Sequence, residues 1–121
     1  MADRKQRRER VDEEVKRALS AVVQGDVKDD RVSRMASITK VDVTPDLKYA
    51  KVFVSVYDTD KKRNATVDGL NHAAPFIRTK LSRALRLRRV PELVFVLDES
   101  IEHGLKIAKL LDEVKNDEAG R

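Results

Sequence analysis

Between Pro75 and Pro91 the sequence places Arg78, Lys80, Arg83, Arg86, Arg88 and Arg89 without one acidic side chain. Cations gathered in this way neutralise phosphates and release the counterions condensed on a nucleic acid. A second anion-binding device is expected at the front of the same segment. Proline disfavours helical geometry in the residue before it, here Ala74, and is well accepted as the first residue of a new helix. A helix opening at Pro75 would leave the N–H groups of Phe76, Ile77 and Arg78 without intrahelical partners, and Ala74 has no side-chain acceptor to cap them. A phosphate fits such a helix start, with water as the plain alternative. A third group of cations, Arg4, Lys5, Arg7, Arg8 and Arg10, opens the chain. There it opposes the dipole of a first helix by about 0.3 kcal/mol or more per charge. Contact with phosphate would offset that cost; a frayed, solvated helix start is the alternative.

The net charge of +5 is unevenly laid out. Residues 1–10 carry five basic and two acidic side chains, and residues 92–121 carry four basic and eight acidic ones. The positive field therefore lies in two segments, the layout of a nucleic-acid footprint; a solvated helix face is the competing reading of any one basic run. Other chemistries find little support. The chain has no cysteine, which excludes disulfides and thiolate metal sites. Its histidines are His72 and His103, and Gly25, Gly69, Gly104 and Gly120 form neither a P-loop nor a dinucleotide fingerprint. We expect no catalytic residue, no metal and no cofactor. With no signal-peptide pattern and no run of ~20 apolar residues, the reading is a soluble cytoplasmic protein. Charged residues make up 39% of the chain, well above the usual share of about 25%, so a polyelectrolyte partner suits it better than a small-molecule substrate.

The elements that must position these charges follow from apolar spacing. Val11, Val15, Ala18 and Val22 repeat at helical intervals, with Leu19 and Val23 beside them, and predict a helix over residues 4–24. A polar loop over 26–34 precedes a strand over 35–43, whose alternation slips between Ile38 and Val41 and predicts a bulge near Lys40. Thr44-Pro45-Asp46 is a turn. In the next strand, over 48–57, Ala50, Val52, Val54 and Val56 face helices. Tyr49, Phe53 and Tyr57 share its other face and are expected to cover the core edge or sit half-exposed rather than to stack bases. A helix using Val67, Leu70 and Ala73 or Ala74 meets the Pro75 helix at a kink. Ile77, Leu81, Ala84 and Leu85 form the apolar stripe of that second helix, which runs to about Leu87. Glu92–Leu97 is nearly all apolar and reads as a central or covered strand. A last helix, capped by Ser100, runs to Val114, and residues 115–121 read as a flexible tail. This is an α+β domain over residues 1–114, a three-stranded sheet with helices on one face, in the order α-β-β-α-kink-α-β-α.

Pro75-Phe76-Ile77-Arg78, then Ala84-Leu85-Arg86-Leu87-Arg88 leading into Val90-Pro91-Glu92-Leu93, is similar to the signature of the ribosome-binding factor A family. So are Asp46-Leu47-Lys48-Tyr49-Ala50-Lys51-Val52-Phe53-Val54 and the closing Asp98-Glu99-Ser100. The resemblance runs from Arg10 to about Val114. It implies a type II KH-like domain that binds the immature small (30S) ribosomal subunit near its neck and the 5′ region of 16S ribosomal RNA. It implies help in late maturation, including 5′-end processing, most important in the cold, by a bacterial protein without catalysis or cofactor. Where the family usually has Gly in an Ala-x-Gly kink, this chain has Pro, in Ala73-Ala74-Pro75; contacts made through that Gly do not carry over.

The residues expected to touch RNA are Arg7, Arg8, Arg10, Ala74, Pro75, Phe76, Arg78, Lys80, Arg83, Arg86, Arg88 and Arg89. The competing fate of Arg86 and Arg88 is pairing with Glu102 or Asp112. The chain is expected to be a monomer when free, with no membrane partner. The rival function is a protein–protein adaptor whose basic helix binds an acidic partner.

Overall fold

The computed structural model describes the backbone of residues 2–85 and 89–119 and the side chains of 9–85, 89–100 and 104–116. The elements are α1 (Ala2–Gly25), β1 (Ala36–Val43), β2 (Tyr49–Val56), α2 (Asp60–Leu85), β3 (Glu92–Leu97) and α3 (Ser100–Ala119). The sheet order is β1-β2-β3, with β1 antiparallel and β3 parallel to β2. The expected bulge is present, between Ile38 and Lys40. Among the described residues no helix is long and apolar enough to cross a membrane.

The core lies between one face of the sheet and α1 with α2. Strict alternation in β2 buries Ala50, Val52, Val54 and Val56. Val15, Leu19, Val22 and Val23 of α1 and Leu70, Ile77 and Leu81 of α2 pack onto them. The 26–34 loop is tied to α2 by a buried polar pair that the apolar pattern did not reveal. The Ser33 N–H donates to Thr66 Oγ1 at 3.0 Å, and the Thr66 hydroxyl donates to the Lys62 carbonyl at 2.7 Å. Gly69 makes room for this loop, because a Cβ there would stand 3.0 Å from Val32 Cγ2 and 3.2 Å from Arg31 Cβ.

Three expectations change. First, α2 is one helix of 26 residues with Pro75 in its interior, not two helices meeting there. An interior proline costs about 3 kcal/mol. Leu70, Ile77 and Leu81, all fully buried on both sides of it, contribute roughly 1.5–3 kcal/mol each, so packing wins. Second, β3 is an edge strand covered on one face only: Leu93 and Phe95 are buried while Val94 is exposed. Its outer edge is partly closed by Asn71 of α2. The Asn71 amide donates to the Phe95 carbonyl at 3.0 Å and accepts from the Phe95 N–H at 2.8 Å, as a neighbouring strand would. Third, α3 continues to Ala119, through residues assigned to the tail, and every side chain from Gly104 to Asn116 is exposed. The helices on the sheet are therefore α1 and α2. The start of α3 is fixed by Asp98, whose carboxylate accepts from the Ser100 N–H and the Thr39 hydroxyl. The Ser100 side chain foremost, then the Thr39 hydroxyl and the Ser100 N–H, hold it below the usual carboxylate range.

Gly69→Val should push the 29–32 loop off α2 and lower unfolding stability by about 1–3 kcal/mol, measured by urea denaturation. Asn71→Leu should leave the Phe95 N–H and carbonyl without partners. Hydrogen exchange at Phe95 should then rise at least tenfold relative to Val52, for a stability loss of about 1–3 kcal/mol.

Candidate nucleic-acid interface

The sheet register brings the two cationic segments to one end of the molecule. Val43 pairs with Ala50, and Ala50 with Leu93, so the end of β1 and the start of β3 lie level. Asp12 of α1 reaches this end, accepting from the Val43 N–H at 3.4 Å. The α1 backbone continues ten residues further toward its N-terminus, an overhang of about 15 Å. Arg10 is exposed on that overhang; the backbone of Arg7 and Arg8 lies there too, with their side chains outside the described residues. From the other side, the second half of α2 arrives at the same end, where Arg78 Nε donates to the Val90 carbonyl at 2.9 Å.

A cleft of about 440 Å³ opens between this part of α2 and the approach to β3, lined by Arg78, Thr79, Ser82, Arg83, Arg89 and Val90. Three arginines, a threonine and a serine border one space. Among the described residues, none of Arg78, Lys80, Arg83 or Arg89 lies in an ion pair with a carboxylate; the ion pairs seen are Arg31–Asp29 and Arg63–Asp60. Arg83 also sits in the last turn of α2, where a cation complements the helix dipole. The cleft can hold phosphate groups by charge-assisted hydrogen bonds. Thr79 and Ser82 are the polar lining residues that sequence reading missed; their spacing of three on the helix, between Arg78 and Arg83, was the available signal.

The anion site expected at Pro75 is not formed. Because α2 runs through this point, Phe76, Ile77 and Arg78 lie inside a helix and their N–H groups do not open onto a ligand. Ala74 is half-buried and Pro75 exposed, and both border a neighbouring cleft of about 480 Å³ shared with Asn71, Arg78, Thr79, Glu92 and Leu93. Glu92 makes that cleft less suited to an anion. Arg78 has a structural duty as well, tying the approach to β3 to α2. Lys80 lies on another flank of α2, its ammonium 5.7 Å from the centre of the exposed Phe76 ring. Arg86 and Arg88, with their expected pairing to Glu102 or Asp112, fall outside the described residues. The aromatic face of β2 points away from α1 and α2, and its rings are half-exposed or exposed rather than covering the core edge. Tyr49 and Tyr57 are exposed, and Phe53 is half-buried beneath the ammonium groups of Lys40 and Lys51.

Arg78→Ala should speed amide exchange around Val90 and Leu93 and shift their resonances, because the Val90 carbonyl loses its donor. Arg83→Ala should leave both unchanged, measured by two-dimensional NMR.

Comparison with known proteins adds to this geometry. Residues 7–111 match the family model described as ribosome-binding factor A. The chain is 43% identical over 114 residues to a ribosome-binding factor A of Clostridium tetani, covering 94% of each chain. It is 45% identical over 115 residues to that of Acetivibrio thermocellus, covering 95% of this chain and 94% of the relative. The solution structure of a Thermotoga maritima protein of this kind superposes with a TM-score of 0.70 at 33% identity, over 79% of this chain and 91% of that one. A likeness in fold extends to the Thermus thermophilus ribosome binding factor A fitted into a cryo-electron-microscopy map of a 30S complex. There the TM-score is 0.61 at 24% identity, over 73% of this chain and 91% of that one.

Proposed function

Because this chain belongs to the ribosome-binding factor A family, we propose that it binds the small ribosomal subunit through 16S ribosomal RNA. In this reading it is a single RNA-binding domain that acts on immature subunits in the cytoplasm. It assists late maturation, including processing of the 5′ end, and supports growth in the cold. It works without catalysis: it holds RNA in place.

The observation that carries this reading is the cleft edged by Arg78, Arg83 and Arg89, with no protein carboxylate paired to any of them among the described residues. Unpaired cations close together repel one another, and a polyanion relieves that repulsion while releasing its counterions. The α1 overhang adds charge from the side, so a backbone crossing this end of the sheet meets α1 and α2 together. Contacts of this type set position and orientation but read no base. The binding of a Thermus thermophilus relative in a 30S complex agrees with such a role.

Charge reversal tests it. Arg83→Glu combined with Arg89→Glu should leave the circular dichroism spectrum and the melting temperature nearly unchanged, because both side chains are exposed. Affinity for precursor small subunits, measured by co-sedimentation, should fall at least tenfold. The slope of log affinity against log salt should flatten by roughly 1.4–1.8, the loss of two phosphate contacts. Undiminished co-sedimentation by the folded double variant, or wild-type binding that free RNA does not compete away, would count against the proposal.

A further inference from the structure

The cleft explains how RNA is held but leaves open why a large aromatic ring stands in water beside it. Phe76 is 46% exposed. It is the one aromatic residue in the three helices. The other four aromatics of the chain are placed elsewhere: Phe95 is buried, Phe53 is capped by two lysines, and Tyr49 and Tyr57 belong to β2 or its end. Phe76, Lys80 and Arg83 follow one another at i, i+4 and i+7 and so share a line on the outer face of α2. Lys80 is one turn, about 6 Å, along the axis from Phe76, and Arg83 about 10 Å. Among the described residues, the cation that stands over the ring is the Lys80 ammonium, 5.7 Å from its centre.

We propose that Phe76 is a stacking platform for one unpaired nucleobase, with Lys80 and Arg83 taking the phosphates that flank it. This deepens the reading of α2 as an RNA-binding face and rests on it. Every base has a π-face that can lie on a phenyl ring, and the ring's apolar area leaves water when it does so. Lys80 keeps the ring occupied in the free protein through a cation–π contact. When a base takes the ring, the flexible lysine stem swings its ammonium onto the adjacent phosphate. A base inside an A-form duplex is stacked between its neighbours and cannot reach Phe76, so the platform selects single-stranded or looped RNA. The arginine cleft supplies affinity for any phosphate backbone; Phe76 supplies the preference for an unpaired nucleotide.

The test uses the full chain, a single-stranded RNA decamer carrying 2-aminopurine, and a ten-base-pair RNA duplex. For the wild type we expect the 2-aminopurine fluorescence to be quenched on binding. Phe76→Leu keeps apolar bulk but removes the ring; it should abolish the quenching and weaken decamer binding by about tenfold. It should leave duplex binding within about twofold, since the phosphate contacts remain. Phe76→Tyr should restore both affinity and quenching. Wild-type decamer affinity for Phe76→Leu, with Arg83→Glu still losing it, overturns the stacking platform and leaves the RNA-binding face standing. Wild-type affinity for both variants overturns the two together.

Discussion

One side of α2 has to be buried along its whole length, and the other features follow from this. Leu70, Ile77 and Leu81 are fully buried against the sheet, two of them beyond Pro75. Breaking the helix at proline would spare one missing hydrogen bond, but the second half would then be free to leave the core. The burial is worth more than the bond, so the helix stays whole across Pro75. A continuous helix with a fixed inner stripe has a fixed outer face. Arg78 and Arg83 are held on its cleft side and Lys80 on another flank, on a rigid element rather than a loop.

The same constraint decides what the cations can do. Arg78 lies toward β3 and hydrogen-bonds the Val90 carbonyl, so it shapes the cleft as well as lining it. Arg83 and Arg89 are exposed on the same cleft. Sheet register then places the overhang of α1 at this end, although more than sixty residues separate Arg10 from Arg78. Two modest basic segments thus become one field, which is stronger toward a polyanion than either alone.

Among the described residues, the sheet is covered on one side only. Asn71 satisfies the Phe95 backbone at the outer edge of β3, which hinders another strand from pairing there. The bulge near Lys40 carries Thr39, whose hydroxyl bonds Asp98 and so helps set the start of α3. The described side chains of α3 add nothing to the core. The fold that positions the cationic end is therefore built from α1, α2 and the three strands.

Much of this was legible in the residues themselves. Alternation in β2 named the buried valines, the slip between Ile38 and Val41 located the bulge, and the charge layout marked both basic segments. These are local properties, repeating over two to four residues, and a sequence carries them directly. Tertiary structure alone decided that Pro75 stays inside a helix, that β3 is an edge, that Arg78 serves a carbonyl, and that the apolar residues of α3 from Leu105 to Val114 meet water. It also selected Thr66 and Asn71, polar residues whose partners lie 33 and 24 positions away. Each of these outcomes depends on burial and hydrogen bonding between segments distant in the chain, and no local pattern encodes which distant groups will meet.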